Sequence, residues 1–325
     1  MQLERSGSHR RHYWRGRQGS RTLSPMSIYP DRPLDAAAMD LVDKIRAIGT
    51  EVTAQTIGAT IALYMPLHAH VSDAGLRTTR DIPYGPAERH RLDVFAAEGD
   101  ASMRPMLLFV HGGGFVGGNK TNPGSPFYDN VGRWAARNGM LGVTMTYRLA
   151  PEHRWPSGSE DVARAVQWLR DNIAPYGGDP ERIFVMGQSA GAVHVAGYIA
   201  REHSSAGEGW RPAGAILVSG LYDTRTMEKN PLFEAYFGSD TEGAARKSFL
   251  NALAVTAVPL LVVLAEFDPR DFQRQAVELN GAYVAQHQRW PRFIQLAGHN
   301  HLSTVFGLNA PGDRLGSHIL AFVRS

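Results

Sequence analysis

Short apolar runs alternate with amphipathic stretches along most of the chain. Met106–Val110, Ala215–Ser219 and Pro259–Leu264 are continuous apolar runs, which are typical of strands buried on both faces of a sheet. Between them, apolar residues recur at spacings of three and four, as in helices that pack on one face. This alternation predicts an α/β fold: a mostly parallel sheet covered by helices on both faces.

The predicted elements follow in chain order. Strands are expected at Arg77–Ile82, Arg91–Phe95, Met106–Val110, Leu141–Tyr147, Ile183–Met186, Ala215–Ser219, Pro259–Leu264 and Phe293–Leu296. Helices are expected at Phe127–Asn138, Gly158–Ile173, Phe272–Gln286 and Arg314–Val323. Because a turn signal, Pro83–Pro86, separates the first two strands, we expect them to pair at one edge of the sheet.

Three other segments bear on how the chain divides into domains and caps. Residues 1–33 show no periodicity, which indicates a disordered basic tail or one translated from upstream of a true start at Met26. Residues 34–70 have a helical pattern before any strand and predict N-terminal helices. Residues 223–250 are too long for a plain connection between two strands, which favours a cap insertion.

Charge and composition narrow the classes of function. The chain of 325 residues has a formal charge of +3; residues 1–25 carry six arginines and one acid, so their net +5 leaves −2 for residues 26–325. With the basicity confined to a tail, we expect no nucleic acid partner. No apolar run approaches the about 20 residues of a membrane-spanning helix.

The chain contains no cysteine. Disulfide bonds, thiolate metal sites and cysteine nucleophiles are therefore excluded, and a cytoplasmic location is expected. The oligomeric state stays open, and a homodimer is allowed.

A Gly-x-Ser-x-Gly pentapeptide, Gly187–Gly191, follows the apolar run Ile183–Met186 and precedes a helix-compatible stretch. Strand, Gly-x-Ser-x-Gly and helix together form the context of a nucleophile elbow, in which a strained turn exposes the hydroxyl of Ser189. The turn also leaves the backbone N–H of Ala190 free at a helix N-terminus. By itself the pentapeptide fits a glycine-rich turn without chemistry equally well.

A second glycine-rich stretch, His111–Phe115, comes directly after the strand Met106–Val110. Three successive glycines permit backbone conformations in which N–H groups point into a cavity, where they can stabilise an oxyanion. The alternatives are a plain turn or a phosphate-binding loop, but Lys120 lies too far away for the phosphate-loop spacing. We expect His111 to shape this loop by hydrogen bonding rather than to transfer protons.

Together, the two motifs resemble those of the hormone-sensitive-lipase-like branch of the α/β-hydrolases. Tyr147–Glu152 and Asp161 are similar to the hallmark that this branch carries between them. The resemblance covers about residues 75–325 and implies an α/β-hydrolase catalytic domain over residues 71–325. It also implies that residues 34–70 form an N-terminal helical cap over the site.

Two positions depart from the branch. It usually has an acid before its serine and a second glycine after the elbow, where this chain has Gln188 and Ala192. These departures place the chain nearer the carboxylesterase and arylformamidase-like edge of the group.

A serine hydroxyl needs a base within hydrogen-bonding reach and an acid that orients the base, and in this fold they follow in the order Ser, acid, His. The acid is expected just after the late strand Pro259–Leu264. There Asp268 matches the family's Asp-Pro, with Glu266 and Asp271 as alternatives.

The base is expected in the loop before the last helix. The resemblance selects His301, three residues after Gly298, with His299 as the alternative. His299 and His301 also resemble a metal pair, as do His68 and His70, but no third ligand stands at a recognisable spacing, so no metal and no cofactor are expected.

These residues predict a serine hydrolase of small, fairly apolar carboxylic esters. Ser189, Asp268 and His301 would form the triad, and the N–H groups of Gly113, Gly114 and Ala190 would form the oxyanion hole. Residues expected to line the pocket are Phe115, Tyr147 and Tyr222. An arylformamidase-like amide hydrolase is the alternative, and a non-catalytic ligand-binding protein on the same scaffold is a third reading.

Overall fold

In a computed structural model of the chain, residues 36–99, 103–204, 210–240, 243 and 247–325 are described, and they fold around one eight-stranded sheet. The strands are β1 (Leu76–Pro83), β2 (Arg91–Ala97), β3 (Arg104–Val110), β4 (Leu141–Met145), β5 (Gly178–Gln188), β6 (Gly214–Val218), β7 (Leu260–Phe267) and β8 (Arg292–Asn300). Their order in the sheet is β1-β2-β4-β3-β5-β6-β7-β8. The pairs β1–β2 and β2–β4 are antiparallel and all others are parallel, which confirms the mostly parallel sheet and the antiparallel pair at its edge.

The described helices lie before, between and after these strands. They are α1 (Ala36–Ile48), α2 (Ala54–His68), α3 (Asp129–Arg137), α4 (Ser157–Asn172), α5 (Ala190–Ser204), α6 (Pro231–Phe237), α7 (Leu250–Val255), α8 (Arg270–His287), α9 (Ser303–Phe306) and α10 (Leu315–Val323). A single 3₁₀ turn, Ala174–Tyr176, precedes β5. Each helix predicted from periodicity is present within two residues of its predicted bounds.

Helices cover both faces of the sheet, as the alternating side chains of β3 show. Leu108 and Val110 belong to one buried cluster together with residues of α4 and α5. Leu107 and Phe109 belong to a second cluster, with residues of α3 and α10. Because successive side chains of a strand point to opposite faces, the two clusters are the two layers of core predicted from the apolar runs.

Local signals fix where two helices near the site begin. Thr53 and Thr56 form a capping box at the start of α2, each side chain accepting a hydrogen bond from the other's backbone N–H. Asn230 caps α6, and its side-chain oxygen accepts from the N–H groups of Leu232 and Phe233. Pro231, at the first helical position of α6, has the backbone angle that a helix start requires.

Predictions about the ends of the chain and about caps have different outcomes. Residues 1–33 lie outside the described residues. Residues 36–325 form one unit, within which α1 and α2 occupy the region predicted to be N-terminal helices. Whether residues 34–70 and 223–250 act as caps stays a prediction.

Candidate active site

Ser189 occupies the sharp turn between β5 and α5. Its φ is +55°, a left-handed conformation that side chains other than glycine rarely adopt. Two glycines make the turn sterically possible: a Cβ on Gly187 would lie 2.3 Å from the carbonyl oxygen of Gly191, and one on Gly191 would lie 2.1 Å from that of Val110. Ser189 is half-buried while its neighbours Gln188 and Ala190 are buried. This is the geometry that the pentapeptide predicted.

The glycine loop after β3 lies directly beside this serine. A Cβ added to Gly112 would lie 3.2 Å from Cβ of Ser189, so the two backbones are in close contact. Gly113 and Gly114 have φ of +136° and +59°, conformations that turn the peptide groups out of the strand direction. Ala190 is the first residue of α5, where backbone N–H groups have no acceptor within the helix. The loop and the helix start therefore bring three backbone donors to the region of Ser189.

His111 and Tyr147 stack on each other and hydrogen-bond to the backbone of the glycine loop. Both are fully buried and stack with their ring centroids 4.4 Å apart. The Tyr147 hydroxyl donates to the carbonyl of His111 at 2.9 Å, and Nδ1 of His111 donates to the carbonyl of Gly112 at 2.6 Å. Burial lowers the pKa of His111 to about 3, so its imidazole is neutral near pH 7. These contacts agree with a loop-shaping role for His111.

The structure brings Asp268 and His301 together. Asp268 follows β7 and His301 follows β8; Nδ1 of His301 donates to Oδ1 of Asp268 at 2.7 Å, and both side chains are buried. The other carboxylate oxygen, Oδ2, accepts from Oγ of Ser219 and from the N–H of Ala265, each at 2.7 Å. A carboxylate held in this way fixes the ring orientation of the histidine and leaves Nε2 available as a base.

The alternative acid and base residues have other partners. Glu266 accepts from the backbone N–H of Gly298 at 2.6 Å, and Asp271 accepts from that of Glu228 at 2.9 Å. Nδ1 of His299 lies 3.0 Å from Oγ of Ser303. Burial lowers the pKa of His299 to about 4. The geometry therefore favours Asp268 and His301 over their alternatives.

The three aromatic residues predicted to line the pocket are all buried. Phe115 stacks on Tyr236 of α6 with ring centroids 4.7 Å apart, and Tyr147 contacts His111 as described. The backbone N–H of Tyr222 donates to Oε1 of Gln275 at 2.8 Å. These contacts show packing around the site, and a direct role in substrate binding stays a prediction.

Sequence reasoning missed two residues that hold the site together. Ser219, after β6, has φ of +50° and donates to Asp268. Gln188, just before the serine, donates from Nε2 to the backbone carbonyl of His301 at 2.9 Å, so the base loop is attached to the elbow. The left-handed Ser219 carries no pattern in the sequence, and Gln188 was visible only as a departure from the resembling branch.

Within residues 36–99, 103–204, 210–240, 243 and 247–325, no three His, Asp or Glu side chains converge as metal ligands would. Among the helices of the same ranges, none has both the length and the hydropathy to span a membrane.

The part of the chain that forms this site is similar to known sequences. The model of a family described as alpha/beta hydrolase fold matches residues 107–301, which include the glycine loop, the elbow and His301. A probable isoprenylcysteine alpha-carbonyl methylesterase of Oryza sativa subsp. japonica is 30% identical over 206 residues, which cover 59% of this chain and 47% of the relative. Esterase LipQ of Mycobacterium tuberculosis is 39% identical over 121 residues, 36% of this chain and 28% of the relative. The chain spans less than half the length of these curated relatives.

Solved structures with similar folds cover nearly the whole chain. Esterase B from Lactobacillus rhamnosis, inhibited by a tributyrin phosphonate, superposes with a TM-score of 0.68 at 16% identity, covering 90% of this chain and 96% of that one. An esterase of Pyrobaculum calidifontis superposes with a TM-score of 0.66 at 21% identity, covering 90% and 98%. At these identities the similarity establishes the fold.

Proposed function

Because the chain belongs to the alpha/beta hydrolase fold family, we propose that it is a serine carboxylesterase that cleaves small, fairly apolar carboxylic esters through an acyl-enzyme. The observation that carries this proposal is the buried 2.7 Å hydrogen bond between His301 and Asp268, on a loop that Gln188 attaches to the elbow of Ser189. The esterase names of the relatives and of the structural neighbours support the same reaction class.

The proposed reaction begins at Ser189. As Oγ attacks the carbonyl carbon of the ester, His301 takes its proton, and Asp268 stabilises the imidazolium that forms. The backbone N–H groups of Gly113, Gly114 and Ala190 donate to the developing oxyanion. His301 then gives the proton to the leaving alcohol, and water repeats the sequence on the acyl-enzyme to release the acid.

Apolar side chains beside the glycine loop support an apolar substrate. Val116 and Leu232 are 38% and 44% exposed, so both present apolar surface beside the glycine loop. Leu232 lies against the loop, because a Cβ added to Gly114 would be 2.7 Å from its Cδ1. The acyl chain or the alcohol of a bound ester would cover these two side chains, which keeps 223–250 a candidate for substrate selection.

The test is hydrolysis of nitrophenyl esters, from acetate to dodecanoate, by wild type and by Ser189→Ala. We expect the substitution to lower kcat by about 10⁴-fold or more, since the nucleophile is lost, and we expect wild-type activity to peak at short acyl chains. A serine-directed phosphonate should label Ser189 in the wild type and nothing in the variant.

Other outcomes would assign a different function. Undiminished ester hydrolysis by Ser189→Ala contradicts the nucleophile assignment. Hydrolysis of aryl formamides but not of esters supports the amide hydrolase, and the absence of a phosphonate adduct supports a ligand-binding protein. A cytoplasmic location, a homodimer and the absence of nucleic acid partners remain parts of the proposal, checked by fractionation, light scattering and a nucleic acid binding assay.

A further inference from the structure

The side chain of Gln188 lies between the two loops that meet at the serine. It is fully buried at the end of β5, a strand paired on both sides with β3 and β6. Nε2 donates to the carbonyl of His301 at 2.9 Å, and Oε1 faces the glycine loop, where a Cβ added to Gly112 would lie 2.4 Å from it. One side chain on a central strand therefore contacts both the base loop and the oxyanion loop.

The orientation of this amide is fixed by its partner. A backbone carbonyl only accepts hydrogen bonds, so Gln188 must present its NH₂ group to His301, which directs Oε1 to Gly112. In the described part of the chain Oε1 has no hydrogen-bond partner. An unpaired buried acceptor costs free energy of folding, so within this amide the stabilising contact is the hydrogen bond that its NH₂ group donates.

The carbonyl of His301 also accepts a second hydrogen bond, whose donor lies much nearer along the chain than Gln188 does. Oγ1 of Thr304 also donates to the His301 carbonyl, at 3.3 Å, but Thr304 belongs to the same local segment. A bond within the segment shapes the loop without fixing where it lies relative to Ser189. The bond from β5 fixes that position, because β5 leads directly into the serine.

We propose that Gln188 is a positioning residue of the hydrolytic reaction. Its amide holds His301 in register with Ser189, and this requires a hydrogen-bond donor at position 188. The inference rests on the proposed function, since it assigns His301 as the base. An ionised carboxylate of the same size places an oxygen against the carbonyl oxygen of His301 and cannot hold the loop.

The test compares two substitutions over pH 5 to 9, with kcat expressed per active site titrated by the phosphonate. Gln188→Met keeps the volume and removes the donor, and we expect kcat to fall about 10- to 100-fold at every pH with KM within about twofold. Gln188→Glu can donate only while its carboxyl is protonated. Its kcat relative to wild type should therefore be highest at the acid end and should fall as the pH rises and the carboxyl ionises.

Gln286→Glu is the matched control, because it makes the same chemical change at an exposed position of α8. It should follow the wild-type pH profile. Wild-type kcat in both Gln188 variants overturns the inference, as does a Gln188→Glu deficit that does not change with pH, since that pattern reports lost packing alone.

A second readout separates failure of this inference from failure of the proposed function. The Hδ1 proton of His301, shared with Asp268, gives a downfield ¹H NMR signal whose position depends on the ring's placement. If wild type hydrolyses no ester and Ser189 takes no phosphonate, the proposed function fails. The positioning inference then still predicts that this signal differs from wild type in Gln188→Met, and that in Gln188→Glu its difference from wild type grows as the pH rises; a signal that matches wild type at every pH in both variants overturns it.

Discussion

At the scale of single residues, Asp268 shows how the site uses a buried carboxylate. Oδ1 accepts a hydrogen bond from Nδ1 of His301, and Oδ2 accepts hydrogen bonds from the hydroxyl of Ser219 and the backbone N–H of Ala265. These charge-assisted hydrogen bonds offset the cost of burying the charge. The same contacts fix the orientation of the carboxylate towards the proposed base.

Exchange of this carboxylate for an amide should disable the base. In Asp268→Asn the amide NH₂ can face Nδ1, which favours the wrong imidazole tautomer, and we expect kcat to fall about 10⁴-fold with little change in KM. Steady-state kinetics with a short nitrophenyl ester measures both. Asp271→Asn, at the alternative acid, should keep kcat within about threefold of wild type. Equal losses in the two variants would reject Asp268 as the triad acid.

The proposed catalytic residues were more predictable than the residues that hold them in place. Ser189, Asp268 and His301 stand in recognisable motifs, and the structure places the latter two in contact. Ser219 and Asp268 are 49 positions apart, and Gln188 and His301 are 113 apart. Such pairs come together only because parallel strands end at the same edge of the sheet. No local sequence pattern predicts these two contacts.

At the scale of elements, the segment after the glycine loop is anchored to the β1–β2 pair by ion pairs. The Lys120 side chain, 4% exposed, lies 2.8 Å from Oδ1 of the fully buried Asp93 and 2.7 Å from Oδ1 of Asp81. Arg80 binds the other oxygen of Asp93 and also pairs with Asp129 at the start of α3. This network connects the sheet edge, α3 and the segment that follows the glycine loop.

Loss of the ammonium group should destabilise the whole fold. Lys120→Met leaves part of the negative charge of Asp93 uncompensated in the interior, and we expect the free energy of unfolding to fall by about 3 kcal/mol. Urea denaturation measures it. Lys44→Met, which removes an exposed pair with Asp40 on α1, should cost less than about 1 kcal/mol. Similar changes in the two variants would show that the buried network contributes no more than a surface pair.

Element boundaries were predicted well where apolar residues set them. The strand predicted at Met106–Val110 begins two residues earlier, at Arg104. The larger differences are at β5, which begins at Gly178 instead of Ile183, and at β8, which continues to Asn300 instead of ending at Leu296. Each extension includes a register shift and ends in one further pair, Gly178 with Arg104 and Asn300 with Phe267, which apolar periodicity does not record.

At the scale of the whole molecule, buried histidines make stability depend on pH. Burial lowers the pKa of His111 and His194 to about 3 and that of His299 to about 4. In the opposite sense, burial raises the pKa of Asp313 to about 6. Between pH 6 and 4 the unfolded chain therefore binds about three protons more at these histidines and one fewer at Asp313.

Stability should accordingly be highest above about pH 6.5 and fall as the pH falls towards 4. A net difference of two protons corresponds to about 2.7 kcal/mol of unfolding free energy per pH unit. Urea denaturation at pH 7, 6 and 5 measures this slope. His194→Leu, which removes a ring whose two nitrogens have no partner in the described structure, should lower the slope by about one proton. A stability that does not change between pH 7 and 5 would contradict this account.

The contacts of α2 also set an order of events during synthesis. Thr60 accepts from Nδ2 of Asn300 at 2.9 Å, and His68 donates to the carbonyl of Phe306 at 2.8 Å. Each contact joins residues about 240 positions apart, and the two later partners flank His301. Thr60 and His68 are made early, and they therefore form these two contacts only after most of the chain has been made. A growing chain that already carries the serine and the glycine loop still lacks His301, and the proposed site is complete only once residues beyond Phe306 have left the ribosome.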